Sequence, residues 1–253
     1  MNELGLTIVL PALVAGLLVA ATHVPLGMQV LARGIVFIDI AIAQIAGVGV
    51  MLADFLGYEP EGVAVQVSAL SAALLGALLL TWTERKWPDV QEGIIGVVFV
   101  LAATADILLL AGNPQAGEHL KDMLVGQILW VGSKQIIAVA ILTAVVLVAW
   151  FGWSAKLGRI GFYLLFGLSV TASVQLVGVY LVFATLIVPA LATRNATRRR
   201  LSKAYAVAAL GYAIGLFGSA WLDLPSGAVV VWALGIAGIV FFALERGHPP
   251  ASA

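Results

Sequence analysis

Four polar side chains that can bind a cation fall inside long apolar stretches of this chain: His23, Asp39, Gln44 and Asp106. An imidazole and a carboxylate are plausible transient ligands for a divalent cation, and a carboxylate can also orient the imidazole and fix its tautomer. Ionisable groups are costly inside a bilayer, and those found there commonly lie on a path for ions or protons. These four residues are therefore candidate metal-path residues, and something polar is expected to cross the membrane.

Each candidate also has a purely structural interpretation. His23 and Asp39 are expected at similar depth in the first two spans, where a buried hydrogen bond between them would lock the first helical hairpin. Gln44 offers one weak carbonyl ligand, and a hydrogen bond between helices would be an ordinary role for it. Asp106 has no basic residue near it in sequence, so a path-facing position and a position that reaches the outer headgroups both stay open.

The composition indicates which elements must position these residues. Hydrophobic residues make up 62% of the 253 and charged residues 10%, with a mean hydropathy of +1.09, which is not the composition of a soluble domain. Windows of about 20 apolar residues predict spans near 5–24, 34–56, 62–82, 91–112, 134–152, 159–176, 203–221 and 227–244. A further stretch, 178–193, contains Pro189 and predicts a broken or half-depth helix. The expected fold is an all-α polytopic membrane bundle of eight spans plus this short helix, nine crossings in all, in a single domain over residues 1–253.

Two shorter segments and two further histidines receive local interpretations. Residues 113–133 are too polar at their start for a span and predict a loop followed by a short interfacial helix anchored by Trp130. Gln91 and Glu92 open a span, and we expect them to cap its N-terminus. His119 and His248 lie in a loop and in the C-terminal tail, where a solvated histidine is the default.

The basic residues predict the orientation of the chain. With the N-terminus outside and nine crossings, 11 of the 13 Lys and Arg residues fall on the inner face, and only Lys121 and Lys134 fall outside. This asymmetry is the positive-inside pattern. The cluster TRNATRRRLSK is accordingly interpreted as a topology anchor rather than as a patch that binds lipid or nucleic acid, and the C-terminus is expected in the cytoplasm.

The chain lacks the sequence motifs that several classes of enzyme need. The chain has no cysteine and no glycine-rich phosphate loop ending in Gly-Lys-Ser/Thr, and it has neither a His-Glu-x-x-His nor a Gly-x-Ser-x-Gly motif. Asp39 and Asp106 are expected toward opposite ends of their spans, which is a poor fit for a protease dyad. We expect a transport subunit without catalysis or a permanently bound cofactor. The balanced net charge gives no indication of a nucleic-acid partner.

The order of several motifs resembles the membrane permeases of zinc/manganese-type ABC importers. The motifs are PLGMQVLARGIVFIDIAIAQIAGVG in a broken first hairpin, QEGIIGVVFVLA, DMLVGQILWV, VQLVGVYLVFATLIVPALATR and DLPSGAVVV. The resemblance covers nearly the whole chain. It implies a type II importer-like permease in the bacterial inner membrane that carries zinc or manganese as substrate. It also implies a homodimer, two cytoplasmic ATPase subunits that bind ATP, and a periplasmic or lipoprotein metal-binding protein.

The chain departs from the family pattern at two places. Typical members carry an aspartate and, four residues later, a histidine in the second span, and the matching positions here are Ile40 and Gln44. Asp39 stands one position early, about 100° around a helix. The loop that typically forms the ATPase coupling helix is short, and by position it would be the segment that we call the coupling segment: Trp153, Ser154, Ala155, Lys156, Leu157, Gly158 and Arg159.

Two other functions remain open at the level of the sequence. The same architecture could carry a metal chelate or another small nutrient, since a large cargo needs few direct ligands. A secondary carrier that works without an ATPase could use Asp39 and Asp106 as a relay for protons or cations.

Overall fold

The computed structural model describes residues 3–59, 62–110, 126 and 128–246. Every regular element in these residues is helical. We number the helices α1 (Glu3–Arg33), α2 (Ile38–Phe55), α3 (Val63–Lys86), α4 (Gln91–Leu110), α5 (Ser133–Val177), α6 (Val179–Ala192), α7 (Arg200–Leu222) and α8 (Ser226–Arg246). Two short 3-10 turns, Pro88–Val90 and Ile128–Trp130, precede α4 and α5.

The predicted number of spans is confirmed. Eight helical segments of the described chain are long and apolar enough to cross a membrane, because α5 contributes two of them, Ser133–Trp153 and Gly158–Val177. The short helix at 178–193 is also present as α6, which has 14 residues. At 1.5 Å per residue, α6 is about 21 Å long, shorter than the roughly 30 Å hydrocarbon core.

The predicted end of the first span at residue 24 is wrong. Helix α1 continues through Pro25 as far as Arg33, and the turn to α2 follows at Gly34–Phe37. Pro25 has no N–H to donate to the carbonyl of Ala21, one helical turn earlier. The hydroxyl of Tyr205 on α7 donates to that carbonyl instead, over 2.8 Å. The first hairpin is therefore not broken at Pro25, because another helix supplies the missing donor.

The coupling segment is not an open loop. The helical backbone of α5 runs through it, and only Gly158 has non-helical dihedral angles, φ 56° and ψ −158°. A positive φ is a backbone conformation that glycine adopts at little cost. Arg159 lies near Glu84 at one end of the bundle, and Val177 lies against Gly126, which belongs to the opposite end. The second span of α5 thus runs from the end near Glu84 to the end near Gly126. The first span begins at Ser133, shortly after Gly126, and so runs in the opposite direction. The two spans therefore form a hairpin that reverses at Gly158.

The helices form two packed groups that share a centre. Helix α2 packs against α3 and α4, and α8 packs against α6 and α7. Helix α1 contacts α5, α6 and α7, while α5 also contacts α3 and α2. In the second span of α5, 61% of the residues are buried, against 11% in the first span. The centre of the bundle is therefore built from α1, α6 and the second span of α5.

The 3-10 turn Ile128–Trp130 lies where α6 begins. Ile128 is buried and the turn packs against α1, while Trp130 is 76% exposed. This exposure agrees with an interfacial position for Trp130. Most of the loop and short helix predicted over 113–133 lies outside the described residues, as do His119 and His248.

Candidate functional site

His23 is fully buried on α1, and within the described residues only one of its two ring nitrogens has hydrogen-bond partners. Its Nδ1 lies 3.0 Å from the carbonyl oxygen of Val19 and 3.1 Å from the hydroxyl of Thr22. Because a carbonyl oxygen only accepts, we assign the proton to Nδ1. This leaves a lone pair on Nε2, which has no hydrogen-bond partner among the described residues. The arrangement is the one used by metal-binding histidines, in which a backbone carbonyl fixes the tautomer through the other nitrogen.

Asp39 is fully buried at the second residue of α2. Neither of its carboxylate oxygens has a hydrogen-bond partner in the described part of the chain. A carboxylate without a partner is costly to bury, and most costly inside a membrane. A cation that binds to these oxygens would offset that cost.

The proposed hydrogen bond between His23 and Asp39 does not form. The unpaired atoms of both side chains rule it out, and α1 and α2 make their main contacts with other helices. The first hairpin is therefore not locked by a bond between these two residues.

The short helix α6 relates the two side chains to each other. Gly27 lies one turn after His23 on the same face of α1, and a Cβ at Gly27 would overlap the carbonyl of Leu186. Phe37, two residues before Asp39, stacks on Phe183 at 6.3 Å between ring centroids. Helix α1 runs parallel to α6, so His23 lies about one turn before the level of Leu186. Helix α2 runs antiparallel to α6, so Asp39 lies slightly before the level of Phe183. The two side chains are therefore at comparable levels along α6.

Gln44 and Asp106 lie apart from this pair. Gln44 is buried on α2, more than one helical turn beyond Asp39. Asp106 is buried near the far end of α4, and its carboxylate oxygens have no hydrogen-bond partner within the described residues. No three His, Asp or Glu side chains of the described residues come together as a set that could hold a metal. The four candidates are therefore separate positions rather than one cage.

Gln91 and Glu92 bond to other helices rather than to the start of their own. The carboxylate of Glu92 accepts the backbone N–H of Phe37 at 3.2 Å, directly before α2. The side-chain amide of Gln91 donates to the carbonyl of Leu80 on α3 at 3.0 Å. Glu92 does lie in the first turn of α4, as expected of an acid at a helix N-terminus, but neither of these two side-chain bonds caps α4. They instead join α4 to α2, close to Asp39, and to α3.

Ile40 lines an apolar groove beside the candidate site. The groove has a volume of about 490 Å³ and lies between α2, α6 and α8. Its walls are apolar or aromatic, and they include Tyr180, Phe183, Val231 and Trp232. Ile40 stands where the resemblance places an aspartate, so the groove presents no carboxylate at that position.

The sequence interpretation missed two residues that the structure places at important contacts. Tyr205 supplies the donor that carries α1 across Pro25, and Glu84 lies between two arginines at the end of the bundle. No local pattern marks Tyr205, because its partner Ala21 is 184 residues away. Glu84 had a local signal: it is an acid beside Arg85 and Lys86 at the end of a span.

Eight helical segments of the described chain are long and apolar enough to cross a membrane, and they define a polytopic membrane protein. The family model described as "ABC 3 transport family" matches residues 6–157 and 151–245. The chain therefore belongs to the ABC 3 transport family, and it is a permease, the membrane-spanning transport component of an ABC transporter. The resemblance stated from the sequence motifs is confirmed.

Curated relatives are distant but match most of the chain. The "Uncharacterized membrane protein slr2045" of Synechocystis is 25% identical over 93% of this chain and 90% of its own length. The "Manganese transport system membrane protein MntC" of Halalkalibacterium halodurans is 24% identical over 87% and 81%. The "Probable iron transport system membrane protein" of Haemophilus influenzae is 26% identical over 65% and 66%.

A solved structure shares the fold. PsaBC from Streptococcus pneumoniae, solved in complex with Fab, superposes with a TM-score of 0.73 over 94% of this chain and 93% of that chain, at 20% identity. The expected importer-like permease fold is confirmed.

Proposed function

We propose that this permease is the membrane subunit of an ATP-driven importer that carries a divalent metal ion, with zinc and manganese as the first candidates. The observation that carries the proposal is that Nε2 of His23 and both carboxylate oxygens of Asp39, at comparable levels along α6, have no hydrogen-bond partner among the described residues. Imidazole nitrogen and carboxylate oxygen are both ligands of such ions. The names of two relatives, a manganese and an iron transport protein, also support a metal as the substrate.

The site has the properties of a path rather than of a storage site. His23 and Asp39 are two single ligands on different helices, and Gln44 and Asp106 would add isolated weak contacts. A conducting site must bind well enough to admit an ion and weakly enough to release it. A metal would therefore pass these residues as the substrate, and no resident metal or other cofactor is proposed.

The proposed assembly is a homodimer with two cytoplasmic ATPase subunits and an extracytoplasmic metal-binding protein. ATP would be bound and hydrolysed only by the ATPase subunits, because this chain has no phosphate-binding loop. The complex would lie in the inner membrane among lipids and would need no nucleic acid. The N-terminus would be outside and the C-terminus in the cytoplasm, in keeping with the positive-inside pattern.

Cellular metal content tests the proposal. A strain without this gene is expected to accumulate less manganese or zinc, and the wild-type gene restores accumulation. Asp39→Ala and His23→Ala should fail to restore it, although the permease is present in the membrane at wild-type amounts. Asp54→Ala is the matched control, because Asp54 is an exposed acid on the same helix. Full rescue by Asp39→Ala and His23→Ala would show that the ion does not use this site.

A second candidate substrate is a metal chelate or another small nutrient. The apolar groove beside Ile40 favours it, because about 490 Å³ of apolar volume suits an organic cargo better than a bare ion. Accumulation that depends on added chelator, and that Trp232→Ala reduces more than Asp39→Ala, would favour this cargo.

Uptake by liposomes that contain the permease without any ATPase would instead support a secondary carrier.

A further inference from the structure

Glu84 joins three helices at the end of the bundle where the coupling segment lies. It sits in the last turn of α3, and its side chain is only 14% exposed. Its Oε1 lies 3.7 Å from Nη1 of Arg33, in the last turn of α1, and its Oε2 lies 3.9 Å from Nε of Arg159. Arg159 is the last residue of the coupling segment. One carboxylate therefore stands between the coupling segment and the end of α1.

The two ion pairs are loose. Both distances exceed that of a hydrogen bond, and Oε2 of Glu84 has no hydrogen-bond partner in the described chain. The side chain of Arg159 is 50% exposed, and a pair as exposed as this contributes little to stability. A shift of Arg159 would therefore change the balance of charge around Glu84 at little cost in folding free energy.

Arg33 connects this cluster to the candidate metal path. Its guanidinium lies 4.2 Å from the ring centroid of Phe162, in the first turns of the second span of α5. The next residue, Gly34, has a φ of 69° and opens the turn that leads to Phe37 and Asp39. Movement of Arg33 would thus act on the start of α2, where Asp39 is buried.

We propose that Glu84 is the positioning residue through which the coupling segment acts on the turn between α1 and α2. The route runs from Arg159 through Glu84 to Arg33 and then into the turn that carries Asp39. The proposal rests on the proposed function, since it gives the ATPase subunits a physical connection to the metal path. Glu84 does not touch the substrate, and it acts through its two arginines.

The first test separates transport from ATP hydrolysis. The complete transporter, with its ATPase subunits and delivery protein, is placed in proteoliposomes, and manganese uptake and ATP hydrolysis are measured together. In Glu84→Gln, manganese carried per ATP should fall by at least about five-fold, the low end of coupling between sites, while hydrolysis continues. Glu245→Gln is the matched control, because it removes the carboxylate that pairs with Lys203 and joins α7 to α8. An unchanged ratio in Glu84→Gln, or an equal fall in Glu245→Gln, would overturn the proposal.

The second test needs neither cargo nor ATPase. Because the chain has no native cysteine, Gly152→Cys provides a single spin-label site beside the coupling segment, where a Cβ would meet open space. Glu84→Gln and Arg159→Gln should each increase the mobility of the label, and Glu245→Gln should not. Unchanged mobility in Glu84→Gln would refute the role of Glu84 whatever the cargo is. Increased mobility in a complex that carries no manganese would refute only the proposed function.

Discussion

The hydroxyl of Tyr205 donates a hydrogen bond to the carbonyl oxygen of Ala21, which is the carbonyl that Pro25 leaves without its helical donor. No water is present in a bilayer core to take over such a carbonyl, so protein groups must do so. The bond explains why α1 continues as one helix to Arg33. It also attaches α1 to α7 close to His23, two residues after Ala21.

Tyr205→Phe should destabilise the permease by removing this donor. We expect a loss of about 0.6–1.5 kcal/mol in the free energy of unfolding, the range for single hydrogen bonds in proteins and membrane bundles. Thermal unfolding in detergent, compared between Tyr205→Phe and wild type, measures the loss. The aromatic ring is kept, so lost packing cannot account for it.

A double-mutant cycle with Pro25→Ala assigns the effect to the freed carbonyl. Alanine restores an N–H that can bond to Ala21 within α1. In the Pro25→Ala background, Tyr205→Phe should therefore cost clearly less than in the wild type. Equal costs in both backgrounds would show that Tyr205 acts elsewhere.

Hydropathy could predict the spans, but contacts between distant residues could not be predicted. The eight apolar segments and the short α6 were predictable because each depends on composition within its own window. The continuation of α1 through Pro25 depends on Tyr205, which is far away in sequence. The proline alone therefore wrongly predicted that the first helix ends before residue 25. The reversal near Gly158 was predictable as the gap between two spans, but its confinement to one residue was not, since a single glycine in an apolar run is no specific turn signal.

The candidate site was predictable as residue types and not as geometry. His23 and Asp39 stood out because ionisable residues are rare in apolar spans. Their separate burial without a mutual bond depends on α6, which contacts both neighbouring helices. The bond of Glu92 to Phe37 was likewise invisible, because an acid at the start of a span is equally consistent with capping its own helix.

Gly27→Ala should disrupt the contact between α1 and α6. A Cβ at this position would overlap the carbonyl of Leu186, and backbone atoms cannot move aside as a flexible side chain can. We expect a destabilisation of about 1–3 kcal/mol from overpacking and a fall in metal uptake. Gly96→Ala is the control, because a Cβ there meets no atom within 4 Å. If both variants unfold at the wild-type temperature, the close approach of α1 and α6 is refuted.

The orientation of the chain can be tested with single cysteines, since none is native. Thr197 lies between α6 and α7, and Leu224 lies between α7 and α8; both are exposed. If the C-terminus is cytoplasmic, an impermeant maleimide added to intact cells or spheroplasts should label Leu224→Cys and leave Thr197→Cys unlabelled until the membrane is opened. The reverse pattern would invert the proposed topology.

Glu92→Ala should weaken the start of α2 more than Glu92→Gln does. Alanine leaves the backbone N–H of Phe37 without its acceptor, whereas the amide of glutamine still offers a carbonyl oxygen. Because this bond is exposed to solvent, the expected loss is at most that of an ordinary single hydrogen bond, about 0.5–1.5 kcal/mol. Because Asp39 follows Phe37 by two residues, manganese uptake should fall in the same order. Equal effects of the two variants would show that the charge of Glu92, and not its acceptor oxygen, matters.

Substitutions of His23 can identify which ring nitrogen serves the transported ion. Glutamine places a polar atom near the position of Nε2, and asparagine places one near that of Nδ1. If Nε2 contacts the ion, His23→Asn should lower the initial rate of manganese uptake by about ten-fold, equivalent to about 1.4 kcal/mol, and His23→Gln should retain more of the rate. If His23 serves only to bond Val19 and Thr22 through Nδ1, the order should reverse, because asparagine preserves those contacts better. Uptake rates at equal amounts of membrane-inserted permease distinguish the two roles.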